Sequence, residues 1–237
     1  LDDIHSSLLS NGVVVQKVTA ARDLGIDTAG GRRRSTKVLH KRLFKSKKRS
    51  ARIARLSLVN RKAAKLFSTG AWPQGTWGGA SMGIAPTHIR ALRTQASSCT
   101  GIKSQGKCNT TAISLVLGQH KDPAIRARVD QVKLFLGIWA EADGPLRSQI
   151  RLVWARLVHT LQNKTSRWTK VVGPIGATIS TLFDIHWVPS SPEVWGTPDG
   201  NSWNLTQGPT GWFWKEFQSS IVLQLWEQAS RHPWGGA

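Results

Sequence analysis

Two neighbouring stretches carry apolar residues at helical spacing. Ile125, Val129, Val132, Leu136 and Trp139 follow at steps of 4, 3, 4 and 3, and Leu146, Ile150, Val153, Leu157 and Leu161 at 4, 3, 4 and 4. Each set lines one side of a helix. Asp122 stands as an N-cap and Pro123 as the first helical residue, because an Asp oxygen accepts from the orphan N–H groups and Pro has none to lose. Glu141 to Pro145 makes a turn, so residues 119–170 are expected to form an antiparallel αα-hairpin.

Upstream, Leu1, Ile4, Leu8 and Leu9 share a face and predict a short helix, ended by the turn signal Asn11-Gly12. Val13 to Val18 is rich in β-branched residues and predicts a strand; Arg22 to Asp27 predicts a second, closed by Gly30-Gly31. Two short strands do not stand alone in water, so 1–31 reads as the edge of a larger α+β sheet. From Ser35 to Phe67 there is neither Gly nor Pro, and a long helix is expected, with a break near Ser50 or Ser57. Leu39, Leu43, Ile53, Leu56, Val59, Ala63, Leu66 and Phe67 supply its apolar positions. Residues 68–85 are Gly-rich and are expected to interrupt it before Pro86 starts another helix carrying Ile89, Arg90, Leu92 and Arg93. In the last third, Pro174 opens a short helix and Asp199-Gly200 marks a hairpin. Trp212, Trp214, Phe217, Ile221, Leu225 and Trp226 read as a final amphipathic helix. The fold expected is mainly α with a small N-terminal α+β piece, divided at 1–31, 32–118, 119–170 and 171–237.

Charge changes this picture. The formal net charge is +20, and between Asp27 and Asp122 there is no acidic residue. That window holds 20 of the 33 Lys and Arg; the other 13 balance the 13 Asp and Glu. Lys41, Lys45, Lys48, Arg52, Arg55 and Lys62 fall at steps of 4, 3, 4, 3 and 7, a ridge on one helical face with nothing acidic four residues away. A surface without mixed signs calls for a polyanion, and nucleic acid gains binding free energy from counterion release at each phosphate neutralised. Arg32, Arg33, Arg34, Lys41, Lys45, Lys47, Lys48, Arg49, Arg52 and Arg55 are the candidate contacts. An anionic membrane surface is the rival partner.

Other chemistry finds little support. No run of 18 apolar residues is present, and Asp2-Asp3 stand where a signal peptide would be positive. His88, Cys99, Cys108 and His120 have spacings that match no common zinc module, so two reduced thiols are expected. No Walker-type or GxGxxG loop occurs, and no Ser/His/Asp order or carboxylate pair stands out. The 12 Trp are read as core anchors, because Lys and Arg are sparse around them.

Three ordered stretches resemble the reverse transcriptases of non-LTR (LINE-like) retrotransposons, over residues 1–98. Arg22-Asp23-Leu24-Gly25-Ile26-Asp27 resembles their "(Y)LG(I/V)" strand at the end of the palm. The basic helix resembles the start of their thumb. Pro73-Gln74-Gly75-Thr76-Trp77-Gly78 resembles a "P-x-x-x-(Y/W)-G" turn, followed by an "L-x-x-L-R"-like run at Ile89 to Arg93. The resemblance implies a palm-edge remnant over 1–31, a thumb-like region over 32–118 and an intracellular, nuclear setting. It implies a template–primer duplex (RNA–DNA or RNA) as partner, no membrane and no small-molecule ligand. Polymerases of this family hold Mg2+ on palm carboxylates that include a Y/F-x-D-D box. Asp2-Asp3 lies too close to Leu24-Gly25 to be that box, so the chain, which begins at Leu1 rather than Met, is expected to be an inactive part of an RNA-directed DNA polymerase without a cofactor of its own. The alternative is a stand-alone basic RNA- or DNA-binding protein.

Overall fold

A computed structural model of the chain describes residues 2–14, 20–23, 26–29, 34–102 and 106–230, with side chains placed over 6–14, 34–102 and 106–230. α1 (Asp2–Ser10) turns at Asn11-Gly12. β1 (Ala20–Asp23) and β2 (Ile26–Ala29) pair antiparallel, with Arg22 opposite Asp27. The segment Arg22 to Asp27 therefore contributes to two strands rather than forming one, because pairing satisfies backbone groups that a lone strand leaves open. Val13 and Val14 are irregular; the remainder of the strand expected at Val13 to Val18, like Arg32 and Arg33, lies outside the described residues.

α2 (Lys37–Val59) is unbroken at Ser50 and Ser57 and ends at Asn60. Asn60 is extended, and its side chain accepts from Lys62 N at 3.0 Å, so the break comes from an Asn competing for the backbone. Beyond it lie a 3-10 turn (Arg61–Lys65), a π turn (Phe67–Ala71), α3 (Trp72–Thr76) and α4 (Gly79–Met82). The Gly-rich stretch is thus largely helical, contrary to the sequence expectation. Its glycines allow close approach: a Cβ on Gly75 would meet Ser46 Cβ at 2.9 Å, and one on Gly79 would meet Ile84 Cδ1 at 2.7 Å. Only Gly78 and Gly83, with φ of 75° and 70°, act as left-handed joints.

α5 (Pro86–Cys99) and α6 (Asn109–Val116) lead to α7 (Pro123–Glu141). Asp122 caps α7 by accepting from Ala124 N at 2.8 Å, and Asp143 caps α8 (Gly144–Leu161) by accepting from Leu146 N at 2.9 Å. All five expected apolar positions of α7 are buried. On α8 the buried set is Ile150, Trp154 and Leu161, while Leu146 and Val153 face solvent. Trp154 moves the stripe by one residue because it reaches Phe135 of α7, with ring centroids 5.1 Å apart. α9 (Pro174–Asp184) packs against both α7 and α8. β3 (Val188–Pro189), β4 (Val194–Gly196) and β5 (Ser202–Asn204) form an antiparallel meander in the order β3-β4-β5. The β4–β5 turn contains Asp199-Gly200, with Gly200 N donating to Thr197 O at 3.1 Å. α10 (Gly211–Ser230) buries Phe213, Phe217, Ile221 and Leu225.

One contiguous buried cluster runs from Leu43 to Leu225. α7 is its axis, contacted by α4, α5, α9 and α10. The architecture is mainly α with small β pieces.

Candidate nucleic-acid interface

α2 rests on the fold through small side chains. Leu43, Ser46, Ser50, Ile53 and Ser57 are buried, at steps of 3, 4, 3 and 4. Ser46 Oγ donates to Ala71 O at 2.8 Å, Ser50 Oγ donates to Gln95 Oε1 at 3.3 Å, and Cys99 Sγ donates to Ser50 O at 3.4 Å. These short polar contacts seat α2 on α3 and α5 and fix its rotation. A helix turns roughly 100° per residue, so Lys41, Lys45, Lys48, Arg52 and Arg55 lie on the side opposite that stripe. All five are exposed, as is Lys37.

The other candidates divide. Arg32 and Arg33 lie outside the described residues. Arg34 is drawn into the fold, where its guanidinium donates to Gly83 O. Lys47 sits on one flank of α2, away from the ridge. Arg49 lies on the other flank, packed so closely over Gly70 that a Cβ there would meet its Nη2 at 2.8 Å. Lys62 follows the break at Asn60 and does not continue the ridge in register. Arg42, Arg93 and Lys107 are used internally. Arg42 Nη1 donates to Trp77 O at 2.7 Å, and Lys107 Nζ donates to Ser97 O and Ile102 O at 3.1 and 2.9 Å. Arg93 grips Asp122 at 3.0 and 3.1 Å and Thr110 Oγ1 at 2.7 Å. Its partner Asp122, 95 positions on from Asp27, ends the acid-free window and could have flagged Arg93 as structural. Among the described residues no carboxylate lies within ion-pair distance of the five ridge cations.

Beside the ridge, α2 and the turn after it enclose an open groove of about 540 Å³. Lys45, Lys48, Arg49 and Arg52 rim it, and Ile53, Leu56 and Leu66 form its floor. Leu56 and Leu66, expected as core, are exposed because Ser50 and Ser57 occupy the inward positions instead. The Lys48 ammonium stands 4.7 Å over the Phe44 ring, which holds it on the outer face.

At the start of α2, His40 and His88 meet edge to face with Nε2 atoms 2.9 Å apart. Burial, with the His40 and Arg34 charges, holds His88 below the ordinary imidazole value. Cys99 is buried and its thiol is pushed up to about 11 by desolvation. At Cys108 burial acts in the same direction, but hydrogen bonds from Thr110 and Thr111 outweigh it and lower the thiol. Among the described residues no group of three His, Cys, Asp or Glu gathers to hold a metal, and no helix is long and apolar enough to cross a membrane.

The class defined by fold and site is a mainly α chain with an outward cationic ridge on α2. No family model, curated protein or solved structure matches it.

Proposed function

We propose that this chain is the thumb-like, nucleic-acid-gripping part of a retroelement reverse transcriptase, and that α2 holds the phosphate backbone of a template–primer duplex. The observation that carries the proposal is the ridge Lys41, Lys45, Lys48, Arg52 and Arg55, five exposed cations in helical register with no facing acid among the described residues. Such a ridge positions a duplex without reading its sequence. The order of the three family-like stretches supports the ancestry: the β1–β2 hairpin, then α2, then the Pro73 to Gly78 segment packed beneath α2. The reaction itself is not assigned to residues of this chain.

Affinity for a mixed-sequence RNA–DNA duplex, measured by fluorescence anisotropy from low to high salt, tests the binding claim. Each phosphate contact contributes about −0.9 to the log–log slope on B-DNA, so four or five contacts predict a slope near −4. A slope near zero would end the proposal. Ancestry has a separate test: an open reading frame with a Y/F-x-D-D box shortly before Leu1 is expected, and its absence favours a stand-alone basic RNA- or DNA-binding protein.

A further inference from the structure

The turn that follows α2 has a second groove on its far side. Leu66 lines the groove beside the ridge, whereas Lys65, Ser68 and Thr69 line this other one. Its opposite wall is built from His120, Lys121 and Lys133, with Ile125 and Val129 as an apolar floor, and it also has about 540 Å³ of open space. The two grooves therefore share the segment Lys65 to Thr69 as a common wall.

Charge in the second groove is one-sided once its internal pair is set apart. Among the described residues Asp130 is the only carboxylate in its lining, and Arg126 lies 3.9 Å from it. Arg126 is itself fixed, donating to Ser68 O at 3.1 Å with its guanidinium 5.2 Å over the Trp72 ring. Burial pushes the Asp130 carboxyl up, against the pull of Arg126 and Lys133. Lys65, Lys121 and Lys133 are left without an ion-pair partner among the described residues. Lys133 is held over the Trp214 ring at 5.5 Å, so one of these ammonium groups is oriented in advance. From sequence Lys133 lies beyond the acid-free window, with the balanced charges; folding brings it across from Lys65.

We propose that the nucleic acid held along α2 crosses the Lys65 to Thr69 wall and that Lys65, Lys121 and Lys133 contact further phosphates of the same molecule in the second groove. This rests on α2 being a phosphate-binding element. Charge complementarity favours a polyanion here, and continuity with the first groove favours the same one. The contact set then wraps two sides of a helical wall, where α2 alone would touch one.

Lys121→Ala/Lys133→Ala in the full chain tests this, with the anisotropy titration on a mixed-sequence RNA–DNA duplex long enough to span both grooves. Two lost phosphate contacts should make the log–log slope shallower by roughly 1.8. Lys121→Arg/Lys133→Arg should keep the wild-type slope, which separates lost charge from damaged folding. Lys164→Ala/Lys170→Ala, two exposed cations elsewhere, should also leave it unchanged. If Lys41→Ala/Lys45→Ala flattens the slope while Lys121→Ala/Lys133→Ala does not, the second groove is not part of the track and only this inference falls. If wild-type binding shows no salt dependence, the reading of α2 falls with it. Loss of polyglutamate binding by Lys121→Ala/Lys133→Ala with duplex binding intact would overturn the proposal in favour of an acidic protein partner.

Discussion

α2 and the helices from α7 to α10 handle their polar groups in opposite ways. Along α7–α10 several buried donors find partners inside the chain. Arg128 is buried on Gln224, with 2.7 Å from Nη1 to Oε1, and Gln131 Nε2 donates to Thr181 Oγ1 at 2.8 Å. The indoles of Trp154, Trp187, Trp195 and Trp203 each donate to a protein oxygen, at 3.0 to 3.1 Å. Along α2 the inward groups are three serines and two aliphatics, and the five ridge cations point out with no ion-pair partner among the described residues. Fixed donors satisfied inside a fold specify packing; a rigidly seated row of unsatisfied cations is available to something outside it. The contrast therefore separates the buried aromatic core, which stabilises, from the outward cations of α2, which are placed to bind.

Changes in the aromatic core should test that separation with the largest effects. Trp195 is fully buried and lies between Trp154, Phe135 and Phe213, with centroids 6.3, 6.4 and 5.7 Å away. Trp195→Ala should cost about 3–5 kcal/mol in chemical denaturation, yet leave the salt slope of duplex binding unchanged wherever the variant is folded. Arg93→Ala comes next. It strands the buried Asp122 carboxylate, which also caps α7, and should cost about 3 kcal/mol because an unpaired buried charge is left behind. The same basic block thus holds one arginine whose loss lowers stability and five cations whose loss should not.

Smaller effects sharpen the boundary at the root of α2. His88 is held below its ordinary value near 6.5, so the folded chain takes up fewer protons than the unfolded chain as pH falls through that value. Stability should be fully present above about pH 7 and should decline from there towards pH 5. His88→Gln should flatten that decline in a pH series of melting temperatures. The smallest effect is chemical. Cys108 should react with a thiol reagent at pH 8 while Cys99, buried with its thiol at about 11, stays unlabelled until the fold opens.

Local periodicity makes much of this legible in the sequence. The stripe Ile125 to Trp139, its Asp122 cap, the Pro174 helix start and the Asp199-Gly200 hairpin all depend on neighbours in sequence. Where the reading failed, a distant residue decides. Gly75 looks like a helix breaker until Ser46 is found against it. Val153 looks like core until Trp154 reaches Phe135 across the chain. The ridge was legible because like charges recur at helical steps. The inward fate of Arg34, the exposure of Leu56 and the approach of Lys121 and Lys133 to Lys65 were not, since each depends on packing between segments far apart in sequence.

The most direct measurement is the salt dependence of RNA–DNA duplex affinity for Lys41→Ala/Lys45→Ala/Lys48→Ala/Arg52→Ala beside wild type. The four side chains are exposed and make no ion pair among the described residues, so folding stability should change by less than about 1 kcal/mol. With four phosphate contacts removed, the log–log slope should become shallower by about 3.6. An unchanged slope in a folded variant would contradict the account.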